Sequence, residues 1–150
     1  MKALGVDPGL RHTGWCVIED GPVRVLAKGT IIPPGSTQPE VVIPFVLKEL
    51  RNVWATHGIG AVVVEQVTWY GKGRRITLPL SHVAGAVSGF FLGKRLPVSL
   101  VLPAMKKRIK KKPFRFSGAG WTEHAKDAAL LALLAFLPPD EVLVRRTMRP

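Results

Sequence analysis

The fold is decided by the stretch Ala3-Leu4-Gly5-Val6-Asp7-Pro8-Gly9, in which a short apolar run ends at a carboxylate and a turn. An apolar run of this length, closed by Pro and Gly, predicts a buried strand. We therefore expect a first strand over residues 2–7. Asp7 then lies at the tip of the strand, on a rigid edge that faces a turn.

Two further acidic residues lie in apolar surroundings. Glu65 is part of the run Ala61–Val67, and Asp127 is part of the segment Ala125–Leu134. A carboxylate among valines or leucines costs free energy unless it is paired or bound to a cation. Each acid alone suits a structural hydrogen bond or ion pair, but three of them in a chain of net charge +12 favour a divalent-metal site.

The remaining pattern predicts a mixed sheet. Strands are expected over Gly14–Glu19 and Val23–Ile32, joined by the turn Asp20-Gly21-Pro22, so the first three strands form an antiparallel meander. Helix and strand then alternate: a helix over Pro39–His57, a strand over Ala61–Val67, a loop over Thr68–Arg75, a helix over Thr77–Lys94, a strand over Val98–Leu102, and a helix capped by Thr122 and running to about Phe136. The predicted fold class is α/β, with a five-stranded sheet and helices on both faces. We expect a single domain over residues 1–150, of which 145–150 form a frayed basic tail.

Composition points to a polyanionic partner. Lys and Arg total 22 against 10 acidic residues, and the pI is about 10.6. Such an excess in a small folded domain is typical of nucleic-acid binding, although a merely basic protein is the alternative. The single cysteine, Cys16, fits a small core residue in a reducing compartment. No signal peptide is visible, and the most apolar stretch, Ile76–Leu92, is too short and too interrupted for a membrane span, so we expect a cytoplasmic protein.

The acids suit phosphodiester chemistry. Two Mg²⁺ ions about 3.5–4 Å apart can activate water and stabilise the leaving oxygen, and Mg²⁺ needs only a few carboxylate ligands because it keeps several waters. His124 lies three residues before Asp127 and so shares its helix face. An imidazole there can ligate a metal or move a proton, or can simply face solvent in a first helical turn. We interpret His12, His57 and His82 as ordinary, and Glu123 as an N-terminal helix charge.

These motifs resemble one family. Asp7-Pro-Gly with Thr13-Gly14, Val-Val-Glu65-Gln66-Val67 and His124-Ala-Lys-Asp127-Ala are similar to the RuvC family of Holliday junction resolvases. The resemblance covers about residues 2–136. It implies an RNase H-like fold, a homodimer, and symmetric cutting of four-way DNA junctions with Mg²⁺ or Mn²⁺. It also places four metal-site positions at Asp7, Glu65, His124 and Asp127. Many members have Asp at the position of His124, which leaves its role open between ligand and proton shuttle. A branch-migration motor is a candidate partner that the sequence does not identify.

Basic segments are the candidate DNA contacts. Lys106 best matches the family's active-site lysine, and the run that follows it can grip phosphates through Lys107, Lys110, Lys111 and Lys112. The loop after Glu65 combines Trp69 and Tyr70 with Lys72, Arg74 and Arg75. Aromatic rings beside basic residues can stack on unpaired bases, although either ring can instead belong to the core. The family usually has a longer stretch before the last helix than the Pro113–Trp121 found here, so part of its DNA-binding surface is missing.

A face of small residues recurs along the second predicted helix at Ser81, Gly85, Gly89 and Gly93. It permits close backbone approach, either to the sheet or to a second copy of the chain.

Three other functions compete with junction cleavage. They are an RNase H-like nuclease acting on RNA or on branched or flap DNA, a binding module that holds junctions without cutting them, and a sugar-kinase-like ATPase. The full set of acids disfavours the binding module, and the short chain disfavours the kinase.

Overall fold

A computed structural model describes residues 1–67, 74–105 and 118–136. Five strands form one sheet: β1 (Lys2–Asp7), β2 (Thr13–Glu19), β3 (Arg24–Ile31), β4 (Ala61–Glu65) and β5 (Val98–Val101). Helices α1 (Pro39–His57), α2 (Arg74–Gly93) and α3 (Glu123–Leu134) pack on it, and residues 103–105 are also helical.

The sheet is mixed, as the sequence predicts. Its strand order is β3-β2-β1-β4-β5. The pairs β1–β2 and β2–β3 are antiparallel, because hairpin turns join these strands. The pairs β1–β4 and β4–β5 are parallel, because α1 and α2 return the chain to the same end of the sheet. The carboxyl ends of β1 and β4 therefore lie side by side.

Strand alternation divides the side chains between two faces. Leu4, Val6, Val62 and Val64 point to the face that α1 and α2 cover, together with Leu50 and Phe91 from those helices. Val63 and Cys16 point to the opposite face and pack under α3. Because successive residues of a strand alternate, Asp7 and Glu65 belong to the α3 face. Helices therefore cover both faces, as expected.

Several predicted boundaries shift. The strand predicted to reach Val67 ends at Glu65, opposite the last residue of its neighbour β5. Beyond the strand, Gln66 N–H donates one further hydrogen bond to the carbonyl of Val101 at 2.7 Å. The second helix begins at Arg74 rather than Thr77, so Arg74 and Arg75 are helical rather than part of a loop. Arginine is a good helix former, which accounts for this extension. The last helix ends at Leu134, two residues before the predicted Phe136.

Among the described helices, none combines the length and hydropathy that crossing a bilayer requires.

Candidate active site

Asp7 lies at the carboxyl end of β1 with its side chain largely buried, 13% exposed. The turn that follows is closed by Thr13, whose hydroxyl accepts from Gly9 N–H at 3.2 Å and donates to the Gly9 carbonyl at 3.0 Å. Thr13 is fully buried. These two bonds explain why a threonine stands in the Asp-Pro-Gly…Thr-Gly motif, since they hold the chain reversal just after Asp7.

Glu65 is the neighbour of Asp7 across the sheet. Val6 pairs with Val64 in the parallel register of β1 and β4. The next residue of each strand is Asp7 and Glu65, so both acids stand at adjacent strand ends. The sequence alone predicts that these strands can be neighbours. The register adds that Asp7 and Glu65 lie at the same level of the two strands.

Helix α3 brings His124 to this edge. Its Nδ1 atom lies 3.3 Å from Oδ2 of Asp7, although the two residues are 117 positions apart in the chain. Asp127 lies one turn further along α3 and is partly buried, on the face that His124 shares. Glu123 is in the first turn, as interpreted, and its carboxylate accepts from Lys126 Nζ at 2.7 Å.

The start of α3 is fixed by contacts with the sheet. Thr122 caps the helix by accepting from Ala125 N–H at 3.0 Å, which confirms the predicted cap, and its hydroxyl lies 2.7 Å from that of Thr30 on β3. Lys28 Nζ sits 4.6 Å from the centre of the Trp121 ring. Sequence reasoning missed these tertiary contacts, because nothing in the local pattern links β3 to residues 121 and 122.

Two glycines permit α3 to approach the sheet. A Cβ atom at Gly14, which pairs with Asp7 across β1 and β2, would fall on the carbonyl oxygen of His124. A Cβ at Gly5 would fall on the carbonyl oxygen of Ala128. The backbone of α3 therefore rests directly on β1 and β2, and this close approach sets the distance between His124 and Asp7. Gly5 shares the strand face of Asp7, a periodic signal that sequence analysis did not use.

His12 is a correction to the sequence interpretation. It is not an ordinary isolated histidine, because its ring stacks on that of His124, with centroids 5.4 Å apart and planes inclined by 10°. The β1–β2 turn carries it to the first turn of α3.

The predicted ligands are only partly joined. Across residues 1–67, 74–105 and 118–136, no group of three or more His, Cys, Asp or Glu side chains is close enough to hold a metal ion. Of the candidate ligands, Asp7 and His124 are in direct contact, with His124 Nδ1 3.3 Å from Asp7 Oδ2. Candidate DNA contacts at Trp69, Tyr70, Lys72, Lys106, Lys107, Lys110, Lys111 and Lys112 lie outside the described residues, as do the side chains of Arg74 and Arg75.

Cys16 is a core residue, as predicted. It is fully buried under α3 beside Ala128 and Ala129, and burial raises the pKa of its thiol from 9.0 to about 12, against a smaller lowering by Lys28. A thiol in this state is not a nucleophile at neutral pH.

The strand order and helix placement define the RNase H-like class of nuclease folds. The solved structure of T. thermophilus RuvC in complex with a Holliday junction substrate matches with a TM-score of 0.74 over 89% of this chain and 90% of that one, at 20% identity. A second solved structure, of Thermus thermophilus RuvC, matches with a TM-score of 0.71 at 20% identity. At this identity the match establishes the fold.

Sequence comparison establishes the family. The model of crossover junction endodeoxyribonuclease RuvC matches residues 3–132. RuvC of Azorhizobium caulinodans is 30% identical over 136 residues, which are 89% of this chain and 76% of that protein. RuvC of Sorangium cellulosum is 31% identical over 146 residues, 93% of this chain and 78% of that protein. The chain belongs to the RuvC family of crossover junction endodeoxyribonucleases, metal-dependent enzymes that hydrolyse phosphodiester bonds to resolve Holliday junctions.

Proposed function

We propose that this chain, as a single cytoplasmic domain, forms a homodimer that resolves four-way DNA junctions by paired symmetric hydrolysis. The proposed catalytic residues are Asp7, Glu65, His124, Asp127 and Lys106, and the first four of these are the proposed metal ligands. The observation that carries the proposal is the convergence of Asp7 with Glu65 at adjoining strand ends and with His124 at 3.3 Å.

The carboxylates of the proposed donor set suit a hard divalent cation, which would have to draw them together, because no three of the described candidate side chains are grouped closely enough to hold an ion. Asp7 and Glu65 supply carboxylate oxygens from two rigid parallel strands, on the sheet face that α3 covers. Mg²⁺ and Mn²⁺ prefer such oxygen ligands. We propose Mg²⁺ or Mn²⁺, with two ions per site. When bound, such ions neutralise the phosphate charge, activate water and stabilise the leaving oxygen.

The protein's own residues orient this chemistry. The sheet holds the backbone at Asp7 and Glu65, and α3 holds that at Asp127, so binding has only side chains to order. His124 presents Nδ1 to the Asp7 carboxylate, where it can serve as ligand or hold a proton. Lys106 would stabilise charge that develops on the scissile phosphate.

The basic residues are the proposed DNA contacts. Lys72, Arg74, Arg75, Lys107, Lys110, Lys111 and Lys112 contribute to a net charge of +12, which favours binding to any DNA shape. Selectivity for junctions is assigned to Trp69 and Tyr70, whose rings would stack on unpaired bases. A branch-migration motor would be a further partner.

Packing of α2 supports the homodimer. Val83, Val87 and Phe91 are buried towards the sheet. A Cβ at Gly85, Gly89 or Gly93 would meet no described atom within 4 Å, and the large side chains of Leu78 and Leu92 on the same helix are 46% and 57% exposed. Among the described residues, nothing covers the small-residue face, and this supports our proposal that a second copy of the chain packs against it.

One experiment tests the catalytic assignment. A synthetic four-way junction and a linear duplex of the same sequence are incubated with wild type, Asp7→Asn and Asp20→Asn, with and without Mg²⁺ or Mn²⁺. Asp7→Asn should abolish cleavage yet bind the junction nearly as well, because basic residues supply most of the affinity. Asp20 lies exposed in the β2–β3 turn, so its variant should cut normally. Cleavage by Asp7→Asn at near wild-type rate would refute the assigned site.

Sedimentation velocity tests the dimer. Wild type should sediment as a dimer at micromolar concentration, and Gly89→Leu as a monomer, since the leucine would separate two closely packed backbones. A wild-type monomer that still makes paired symmetric cuts would contradict the dimer.

A further inference from the structure

His12 contacts the active site through its ring. It lies in the turn between β1 and β2 and stacks on His124, which belongs to the first turn of α3. The centroid distance of 5.4 Å and the inclination of 10° are those of an offset stack, an arrangement that aromatic rings favour. The contact therefore connects the two elements whose relative position defines the site.

The turn that carries His12 is held firmly. Thr13 bonds to both the N–H and the carbonyl of Gly9, at 3.2 and 3.0 Å, and is itself fully buried. A Cβ at Gly9 would fall on the carbonyl oxygen of His12, so the backbone on the two sides of the turn is already in contact. The backbone of His12 is consequently restrained by its neighbours in the turn, and its exposed ring is located by the stack on His124.

His124 needs such support. Its side chain is 45% exposed, so packing restricts it little. Its contact with Asp7 Oδ2 is 3.3 Å long, against about 2.7–2.9 Å for a strong charge-assisted hydrogen bond. One long contact at the ring edge leaves rotation about the side-chain bonds possible. A second ring against the face removes much of that freedom.

We propose that His12 is a positioning residue, which holds the imidazole of His124 against the Asp7 carboxylate by stacking on its face. The inference rests on the proposed function in treating His124 as an active-site residue. The nearly parallel planes assign the role to the ring rather than to its nitrogens. A metal binds imidazole in the ring plane at about 2.0–2.1 Å, and the in-plane directions of two stacked rings run side by side without converging on one ion.

The test compares His12→Phe, which keeps a flat ring, with His12→Ala, which removes it. His57→Ala, in the last turn of α1, is the control. Three quantities are measured: the single-turnover rate of junction cleavage, the junction Kd, and the tautomer of the His124 ring by ¹H–¹⁵N NMR of metal-free protein, at a pH where imidazoles are neutral. The signal of His124 is identified by its loss in His124→Gln.

In wild type, the Asp7 contact should hold His124 in the form with the proton on Nδ1. His12→Ala should shift it towards the form with the proton on Nε2 and lower the single-turnover rate roughly tenfold, the size seen when groups that orient a ligand are removed, with the junction Kd unchanged. His12→Phe should stay within about twofold of wild type in all three measurements, as should His57→Ala.

Two results would overturn the inference. If His12→Ala leaves the His124 tautomer as in wild type, the stack does not position the ring. If His12→Phe loses activity as His12→Ala does, a nitrogen of His12 is required and its role is chemical. The test distinguishes failure of this inference from failure of the proposed function. If wild type cuts no junction, the proposed function fails, but His12→Ala can still shift the tautomer of His124.

Discussion

On one face of the sheet, α1 and α2 pack through large side chains such as Leu50 and Phe91. On the other face, α3 packs its leucines on β4 and β5 but its alanines on β1 and β2, where two glycines admit its backbone. The first face is an ordinary core, in which dispersion and hydrophobic burial hold helices at a distance that side chains determine. The second brings helix backbone onto strand backbone.

This difference follows the location of the site. Asp7 and Glu65 face α3, and His124 belongs to α3, so the distance between helix and sheet is also the distance between candidate ligands. On the α1–α2 face the same distance separates no candidate ligands. We therefore expect the two faces to respond differently to small changes of volume.

The largest expected effect concerns Cys16, beneath α3. Because burial raises its pKa from 9.0 to about 12, the thiolate fraction near pH 8 falls by about a thousandfold. A thiol-specific reagent such as DTNB should therefore leave native protein unlabelled and react readily in denaturant. The pKa of the thiol is higher in the folded than in the unfolded protein. Its contribution to the free energy of unfolding is therefore fully present below pH 9 and is lost as the pH rises towards 12.

Native labelling of Cys16 within tenfold of the denatured rate would contradict this prediction, because it would show that α3 opens readily or that the thiol is exposed. The comparison requires both rates at the same pH and reagent concentration.

The next largest effect is expected for the substitution Gly5→Ala. The added Cβ would fall on the carbonyl oxygen of Ala128 and lie close to the amide nitrogen of Ala132, both of them backbone atoms that cannot rotate away. We expect destabilisation of about 1–3 kcal/mol or more in urea, and slower junction cleavage because α3 must move. Gly60→Ala is the matched control, since its Cβ would meet nothing nearer than Met1 Cγ at 3.5 Å. Equal stability of the two variants would refute the close approach.

The sequence predicted the strands and helices because each depends on local pattern. The run Ala61–Val64 reads as a central strand on its own apolar character, and Thr122 reads as a cap on its position before α3. Asp7, Glu65, His124 and Asp127 could be singled out for the same reason, as charged or polar groups within or beside apolar segments.

Contacts between distant segments could not be read in this way. The stack of His12 on His124 depends on the register of β1 with β2 and on the distance between α3 and the sheet. A local sequence pattern determines neither of them. The end of β4 at Glu65 likewise depends on where its partner β5 stops. Gly5 and Gly14 carried a usable signal, since glycine within a strand marks close approach.

The smallest effect is expected on the opposite face. Leu50 is a fully buried residue of α1, among side chains that can adjust to a neighbour of similar volume. Leu50→Met should therefore cost less than about 1.5 kcal/mol in urea denaturation, whereas Leu50→Ala should cost about 2–5 kcal/mol because it leaves a cavity. Under conditions where both variants remain folded, junction cleavage should match wild type, since Leu50 belongs to the core on the side of the sheet opposite α3. A loss of cleavage in folded Leu50→Met would show that the α1–α2 face also sets the geometry of the site, and the functional division between the two faces would fail.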